Sequence, residues 1–216
     1  MKNSFLRTTL VPVLAIIICA ILYLLDYFEI ITATVLIIIA SAIEYRKKLF
    51  ASLGFQRKRL NAIHLLVLAP LVAIGLFILY VIILVPAATA ITGEVIDLSD
   101  FDSYKGNLPA SLILLAFIWT SAAFGEEIFF RGYLMRQFTK FFGSSKLSII
   151  LNIVLLGFLF GWIHSYQGIT GQIVSGVTGV LLAIIFHLRK NDLWFNIAVH
   201  GFFDTIAVVI FYYGWY

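Results

Sequence analysis

The chain has 216 residues, of which 62% are hydrophobic and only 12% are charged, with a formal net charge of +4. A soluble domain is typically about 45–50% apolar and about 25% charged, so the composition excludes an ordinary soluble domain and predicts a multi-pass membrane protein. The single cysteine, Cys19, excludes an intrachain disulfide.

Long apolar segments occur along the whole chain. A helix needs roughly 20 residues to cross about 30 Å of hydrocarbon. The first segment lacks a small-residue cleavage site, and the second follows almost at once, so we interpret the first as a retained span. Pro70 lies within the third and is expected to kink it. We therefore predict an all-α fold, a polytopic transmembrane helical bundle of about seven spans: 8–25, 29–44, 61–86, 110–131, 147–165, 170–187 and 193–213.

The basic residues occupy alternate connections between these segments. The connection 87–109 contains Lys105 and is otherwise acidic. Because loops rich in Lys and Arg stay cytoplasmic, we predict a cytoplasmic N-terminus. The other basic residues fall before the first segment or in the connections after the second, fourth and sixth, namely Lys2, Arg7, Arg46, Lys47, Lys48, Arg57, Lys58, Arg59, Arg131, Arg136, Lys140, Lys146, Arg189 and Lys190.

Three polar stretches interrupt the apolar segments, where ionisable residues are unfavourable and are usually functional. The first is "GEEIFFR", in which Glu127 and Arg131 have the i, i+4 spacing of a helical ion pair. Glu126 points about 100° away from Glu127 around the helix. The spacing thus predicts one neutralised glutamate and one glutamate that is free to face another neighbour.

The other two stretches, "FGWIH" and "NIAVHGFFD", also have helical spacing. Phe160 packs beside His164 in the first of them, at i, i+4. If 110–131 and 147–165 form a hairpin that turns near 143–145, Glu126 and His164 lie at similar distances from the turn and can face each other. The last stretch carries a single polar stripe of Asn196, His200 and Asp204.

Small residues predict close helix packing next to the second stretch. Gly157 and Gly161 have the G-x-x-x-G spacing, which lets helix backbones approach each other. Ser175, Gly176 and Gly179 can do the same in the following segment.

Activation of water is the natural chemistry of these residues, because no serine or cysteine nucleophile lies beside a base. Glu126 and His164 can hold a water molecule and remove its proton, and His200 with its neighbour can stabilise charge on the attacked carbonyl oxygen. This mechanism requires no metal. Alternatively, Zn²⁺ could be bound by Glu126, His164, His200 and Asp204. A structural polar network or a transport path is a third interpretation.

The ordered set of stretches resembles the motifs of the CPBP family, which includes the CAAX proteases and the bacteriocin-processing (Abi) proteins. "EEIFFR" is similar to the E-E-x-x-x-R motif, "FGWIH" to F-x-x-x-H, and "HGFFD" to H-x-x-x-N/D. The resemblance covers 110–216, the predicted catalytic core, whereas 1–109 contains spans without a recognisable motif. It implies an intramembrane, glutamate-type endopeptidase with a cavity open to the cytosolic side.

The resemblance also implies roles for individual residues. Glu126 and His164 would activate water, and His200 and Asp204 would occupy the positions associated with the oxyanion. Asp204 stands where the eukaryotic members have asparagine, and an ionised aspartate cannot donate a hydrogen bond to an oxyanion. Asp204 is therefore either protonated by burial, orients His200 or binds a metal. Asn196 could supply the hydrogen-bond donor to the oxyanion instead. The supporting residues would be Glu127, Arg131, Phe160 and Asn196.

The expected substrate is a membrane-associated protein or peptide, and no nucleic acid partner is expected. The small size and short loops favour a prokaryotic inner (plasma) membrane protein. The alternative is a non-catalytic membrane scaffold or a bacteriocin-immunity protein on the same fold.

Overall fold

The computed structural model describes residues 5–216, and this part of the chain contains helices and no strand. Short 3-10 turns occupy several connections. The eight helices of the described range are α1 Leu6–Leu24, α2 Ile30–Tyr45, α3 Leu49–Leu53, α4 His64–Thr92, α5 Leu108–Phe142, α6 Lys146–Trp162, α7 Gly168–Leu188 and α8 Leu193–Tyr213.

Each predicted span corresponds to one of these helices, and the all-helical membrane-spanning fold is confirmed. Five helices are long and apolar enough to cross a bilayer, namely α1, α4, α5, α7 and α8. Helices α2 and α6, with 16 and 17 residues, are shorter. The total of about seven spans and the cytoplasmic position of the N-terminus stay predictions, and Lys2 lies outside the described residues.

Widened helical turns precede three of the prolines. In α1 and α4, stretches of π-type hydrogen bonding end at Leu10, Leu68 and Leu84. A proline follows each of these stretches two residues after its end, at Pro12, Pro70 and Pro86. Proline cannot donate a backbone hydrogen bond and its ring crowds the carbonyl four residues earlier. A widened turn accommodates both effects, and the kink expected at Pro70 stays a prediction.

Helix α5 is longer than the predicted span 110–131 and continues to Phe142. Arg131 therefore lies inside the helix and not in a cytoplasmic connection, which corrects its use as a topology residue. It tolerates burial because Glu127 lies one turn away. The hairpin between α5 and α6 turns at 143–145 as predicted, where Ser145 accepts a hydrogen bond from Ser148 N and so caps α6.

Helices α6 and α7 approach each other closely along the predicted glycine face. A Cβ added to Gly161 would lie 2.9 Å from Gly176 Cα, and one added to Gly179 would lie 2.8 Å from Phe160 Cβ. Real Cβ atoms essentially never come that close to another heavy atom. These glycines therefore fix the position of Phe160 and of the residues that follow it.

One end of the bundle gathers the basic residues, and we call it the basic end. It consists of the start of α1 and the connections 46–63, 143–145 and 189–192. Hydrogen bonds join these parts: Leu193 N donates to Gly54 O at 3.3 Å, Arg59 Nη1 donates to Arg189 O, and Lys140 Nζ donates to Thr8 O.

The opposite end is acidic, and we call it the acidic end. It consists of the connections 25–29, 93–107 and 163–167 and the C-terminal residues 214–216. Asp97 N donates to Gln167 O at 3.0 Å and Gly106 N donates to Tyr212 O at 2.8 Å, so 93–107 is fastened over this end. Its exposed carboxylates are Asp26, Glu29, Glu94, Asp97, Asp100 and Asp102.

Candidate active site

The three polar stretches meet at a cavity of about 700 Å³. Helix α5 contributes Glu126, the turn after α6 contributes His164, and α8 contributes His200 and Asp204. All four proposed reactive residues thus line one space. The rest of the wall is mainly apolar and aromatic, as is typical of a ligand pocket.

Glu127 is the centre of the hydrogen-bond network behind the cavity. Its side chain is fully buried and accepts a bond from Arg131 Nη1 to Oε1 at 2.8 Å, the pair that the i, i+4 spacing predicts. Asn196 Nδ2 donates to Oε2 at 2.6 Å. His200 Nδ1 lies 3.0 Å from Oε1. A single carboxylate therefore joins α5 to α8 and holds three side chains in place.

Arg131 extends this network to α6 and α7. Its Nη2 donates to Gly179 O at 2.8 Å, and its guanidinium lies 4.8 Å from the centre of the Phe160 ring. The planar guanidinium can donate hydrogen bonds to a carboxylate and a carbonyl and stack on an aromatic ring at the same time, which a lysine cannot do. Arg131 consequently connects α5 to α7 and to the end of α6, which His164 follows.

Glu126 differs from its neighbour in having no such partners. Glu126 lines the cavity and is only 9% exposed. Its Oε2 atom has no hydrogen-bond partner among residues 5–216. A buried carboxylate oxygen normally has a partner, because leaving it unpaired is energetically unfavourable. The free oxygen is thus available to a molecule in the cavity.

The contacts of His164 define which of its nitrogens can act as a base. Nδ1 lies 2.7 Å from the carbonyl oxygen of Phe160, and a carbonyl only accepts, so Nδ1 carries the proton. Nε2 of the neutral ring is then an acceptor. The ring stacks on Phe160 at 4.8 Å, which fixes its orientation.

His200 lies between two carboxylates. Nδ1 is 3.0 Å from Glu127 Oε1, and Nε2 is 3.4 Å from Asp204 Oδ2. Carboxylates accept hydrogen bonds and do not donate them when ionised. This environment suits a doubly protonated imidazole, with one N–H held by Glu127 and the other near the cavity.

The family comparison agrees with this constellation. Residues 108–206 match the family described as type II CAAX prenyl endopeptidase Rce1-like. We refer to this part of the chain as the CAAX-type domain, after the family that it matches. The family resemblance of the three motifs is confirmed over this range, and the long apolar helices support a multi-pass membrane protein. No curated protein and no solved structure matches the chain.

Asn196 of the CAAX-type domain pairs with Glu127 and lies outside the cavity wall. Asn196 was considered as a donor to a reacting oxygen, but its side-chain nitrogen donates to Glu127, it is fully buried, and it does not line the cavity. Helical spacing places Asn196 on the same stripe as His200. Helical spacing alone cannot show that Asn196 faces α5.

The position of the cavity bears on two expectations, the orientation predicted from charge and the cytosolic opening implied by the family resemblance. Residues of the acidic end line it, including Glu29, Phe101, Tyr166 and Trp215. The basic connections lie at the other end of the bundle, and charge predicts that they are cytoplasmic. The resemblance implies a cavity open to the cytosolic side, and both this opening and the charge-based orientation stay predictions.

Several residues that line the cavity of the CAAX-type domain were not identified from sequence. Helix α4 and the segment 93–107 lie outside the matched range, yet they supply Phe77, Tyr80, Ile96, Leu98 and Phe101. Tyr166 follows His164 by two residues, and its ring lies 5.9 Å from the imidazole. Their apolar and aromatic character gave no signal that distinguishes cavity walls from ordinary lipid-facing residues.

The geometry of the CAAX-type domain does not provide a set of metal ligands. Between residues 5 and 216, no three His, Cys, Asp or Glu side chains are arranged to hold a metal ion. His200 faces Glu127 with Nδ1 and Asp204 with Nε2. The alternative in which Glu126, His164, His200 and Asp204 bind Zn²⁺ stays a prediction.

Proposed function

We propose that this protein is an intramembrane endopeptidase that hydrolyses a peptide bond with water activated by Glu126 and His164. The observation that carries the proposal is the unpaired Glu126 carboxylate in a cavity beside His164 and His200. A polar network that served only to hold helices together would pair this oxygen. The proposed catalytic core is 110–216, with 1–109 as supporting spans.

The reaction begins with a water molecule between Glu126 and His164. His164 Nε2 accepts one hydrogen bond from the water, and the Glu126 carboxylate removes the other proton as general base. The water oxygen attacks the carbonyl carbon of the substrate, and the electron pair of the C=O bond moves to its oxygen. When the tetrahedral intermediate collapses, the C–N bond breaks and Glu126 returns the proton to the leaving amine.

The negative oxygen of the intermediate is stabilised by His200. A preorganised donor at such a position typically contributes about 3–4 kcal/mol to lowering the barrier. Glu127 fixes the ring through Nδ1, which leaves the Nε2 proton as the donor. The 3.4 Å contact to Asp204 is long for a hydrogen bond, so a substrate oxygen can replace it.

Asp204 then acts through His200 and does not touch the oxyanion. Its position one turn after His200, with Oδ2 facing Nε2, supports an orienting and charge-balancing role. Neither a metal nor another cofactor takes part in the proposed reaction. The substrate is a membrane-associated protein or peptide, and the membrane is the inner (plasma) membrane of a prokaryotic cell.

The test is a comparison of membrane peptides from cells that express the native chain, Glu126→Gln or Glu94→Gln. Glu94 is exposed and does not line the cavity, which makes it the matched control. We expect one or more membrane peptides to remain uncleaved with Glu126→Gln and to be cleaved with Glu94→Gln. Identical peptide patterns for all three chains at equal expression would favour the scaffold interpretation.

A further inference from the structure

A second recess opens at the basic end of the molecule and shares no lining residue with the reactive cavity. It has a volume of about 520 Å³ and lies between the start of α1 and the end of α2, so we call it the α1–α2 groove. Two arginines and four apolar residues line it, namely Arg7, Arg46, Leu6, Val11, Ala42 and Ile43. The proposed peptidase reaction makes no use of this groove.

The two arginines of the α1–α2 groove carry positive charge that the protein does not neutralise. Glu44 lies only two residues before Arg46, but it is buried and pairs with Lys140. Within the described part of the chain, no salt bridge joins Arg7 or Arg46 to a carboxylate, and Nε of Arg7 has no hydrogen-bond partner. Guanidinium groups bind phosphate oxygens with good geometry. The groove is therefore suited to an anion that comes from outside the protein.

The backbone of Arg46 has a conformation that residues with a side chain rarely adopt. Its φ is 52° and its ψ is −123°, directly after the last residue of α2. This region is characteristic of glycine at a tight turn. Strained backbone conformations persist where the surroundings hold them, and they are often found at ligand-binding positions. An arginine at a position that favours glycine indicates that its guanidinium has a role beyond ending the helix.

The apolar wall of the groove continues along one exposed face of α2. Ile43, Ile39 and Val35 are spaced four residues apart, so they lie on the same side of the helix. They are 49%, 53% and 52% exposed. This face extends for about 12 Å along the helix axis. A soluble phosphate compound would use only the arginines, whereas a phospholipid would also cover the apolar face.

We propose that the α1–α2 groove binds one anionic phospholipid, with the phosphate at Arg7 and Arg46 and an acyl chain along the exposed face of α2. Basic residues at a membrane surface attract anionic lipids. A zwitterionic lipid carries its own cation beside the phosphate, so two arginines favour it less. Lipid binding can be measured without any cleavage, so this proposal and the peptidase function can fail separately.

The lipid preference is tested by native mass spectrometry of the purified full chain in a non-ionic detergent. The probes are phosphatidylglycerol and phosphatidylcholine with identical acyl chains, and glycerol phosphate serves as a competitor that has a charged headgroup but no chain. We expect one phosphatidylglycerol to bind about tenfold more tightly than phosphatidylcholine and to remain bound when glycerol phosphate is added. Equal binding of the two lipids, or displacement by glycerol phosphate, would overturn the proposal.

The site is located with two double variants of equal charge change. Arg7→Gln/Arg46→Gln is expected to weaken phosphatidylglycerol binding about 30-fold, because each basic side chain contributes about fivefold at an anionic surface. The matched control, Arg57→Gln/Lys58→Gln, removes two exposed charges of the basic end outside the groove and is expected to have no effect. Equal effects of the two double variants would overturn this site.

Arg46→Gly separates loss of the lipid from loss of the fold. Glycine adopts a φ of 52° without strain, so we expect the variant to keep the native midpoint when it is unfolded with SDS. Its phosphatidylglycerol binding is expected to fall about fivefold. Binding as tight as that of the native chain would overturn the assignment of Arg46 to the lipid phosphate.

Discussion

The buried carboxylate of Glu127 offers a quantitative test of the polar network. Glu127→Gln keeps the size of the side chain but removes the negative charge that faces Arg131 and His200 at 2.8 and 3.0 Å. Arg131 then keeps its bond to Gly179 O but becomes an uncompensated buried cation. Breaking a buried pair from one side typically destabilises by about 3–5 kcal/mol. We expect a loss of that size in the free energy of unfolding.

Unfolding of the purified protein in mixed micelles with increasing SDS, followed by tryptophan fluorescence, measures this loss. The comparison needs Arg131→Met and the double variant Glu127→Gln/Arg131→Met. Residues in direct contact show interaction energies of about 0.5–3 kcal/mol in such cycles. Because removal of both charges leaves no lone Arg131 cation, we expect the double variant to be less destabilised than the sum of the single variants.

Two results would refute this reasoning. A Glu127→Gln variant as stable as the native chain would show that Arg131 does not depend on Glu127 for its charge balance. Strictly additive single losses would show that the 2.8 Å contact carries no coupling energy. A Glu29→Gln control, which changes an exposed carboxylate, is expected to alter the stability by less than about 0.5 kcal/mol.

Three further predictions concern the reacting groups and the helix packing. Asp204→Asn is expected to lower kcat about tenfold or more with little change in KM, because His200 loses one of its two carboxylate partners. Full activity would exclude the orienting role. Gly161→Ala is expected to destabilise the fold by about 1–3 kcal/mol, because the new methyl meets Gly176, whereas Gly75→Ala has open space and should be tolerated; equal stability of the two variants in SDS titrations would contradict this packing. The purified protein is expected to remain active in the presence of metal chelators. Loss of activity that added Zn²⁺ restores, together with bound metal detected by elemental analysis, would overturn the metal-free reaction.

The sequence predicted the site best where local helical spacing decides the contact. Glu127 and Arg131 pair as their separation of four residues requires, and Phe160 stacks on His164 for the same reason. The glycine pattern likewise predicted the close approach of α6 and α7. These contacts depend on one helix or on small residues, so they can be read without knowing the arrangement of the other helices.

Contacts between distant helices could not be predicted in this way. His200 and Asn196 both reach Glu127, but their spacing says only that they share a face of α8. A second buried cluster was missed completely: Gln137 Nε2 donates to Glu44 Oε2 at 2.7 Å, and Lys140 also pairs with Glu44. The relevant residues are separated by more than 90 positions, so no local pattern connects them.

Part of the cavity wall comes from a different part of the chain than the reactive groups. Helix α4 and the segment 93–107 shape the space in which a substrate would lie, whereas Glu126, His164 and His200 all belong to the matched range 108–206. Changes in the first part can therefore alter which substrates are accepted while the reaction itself is preserved. During evolution, selectivity could diverge at positions such as Phe77 and Tyr80 without disturbing catalysis. An exchange of 64–107 between relatives would replace this part of the wall as a unit.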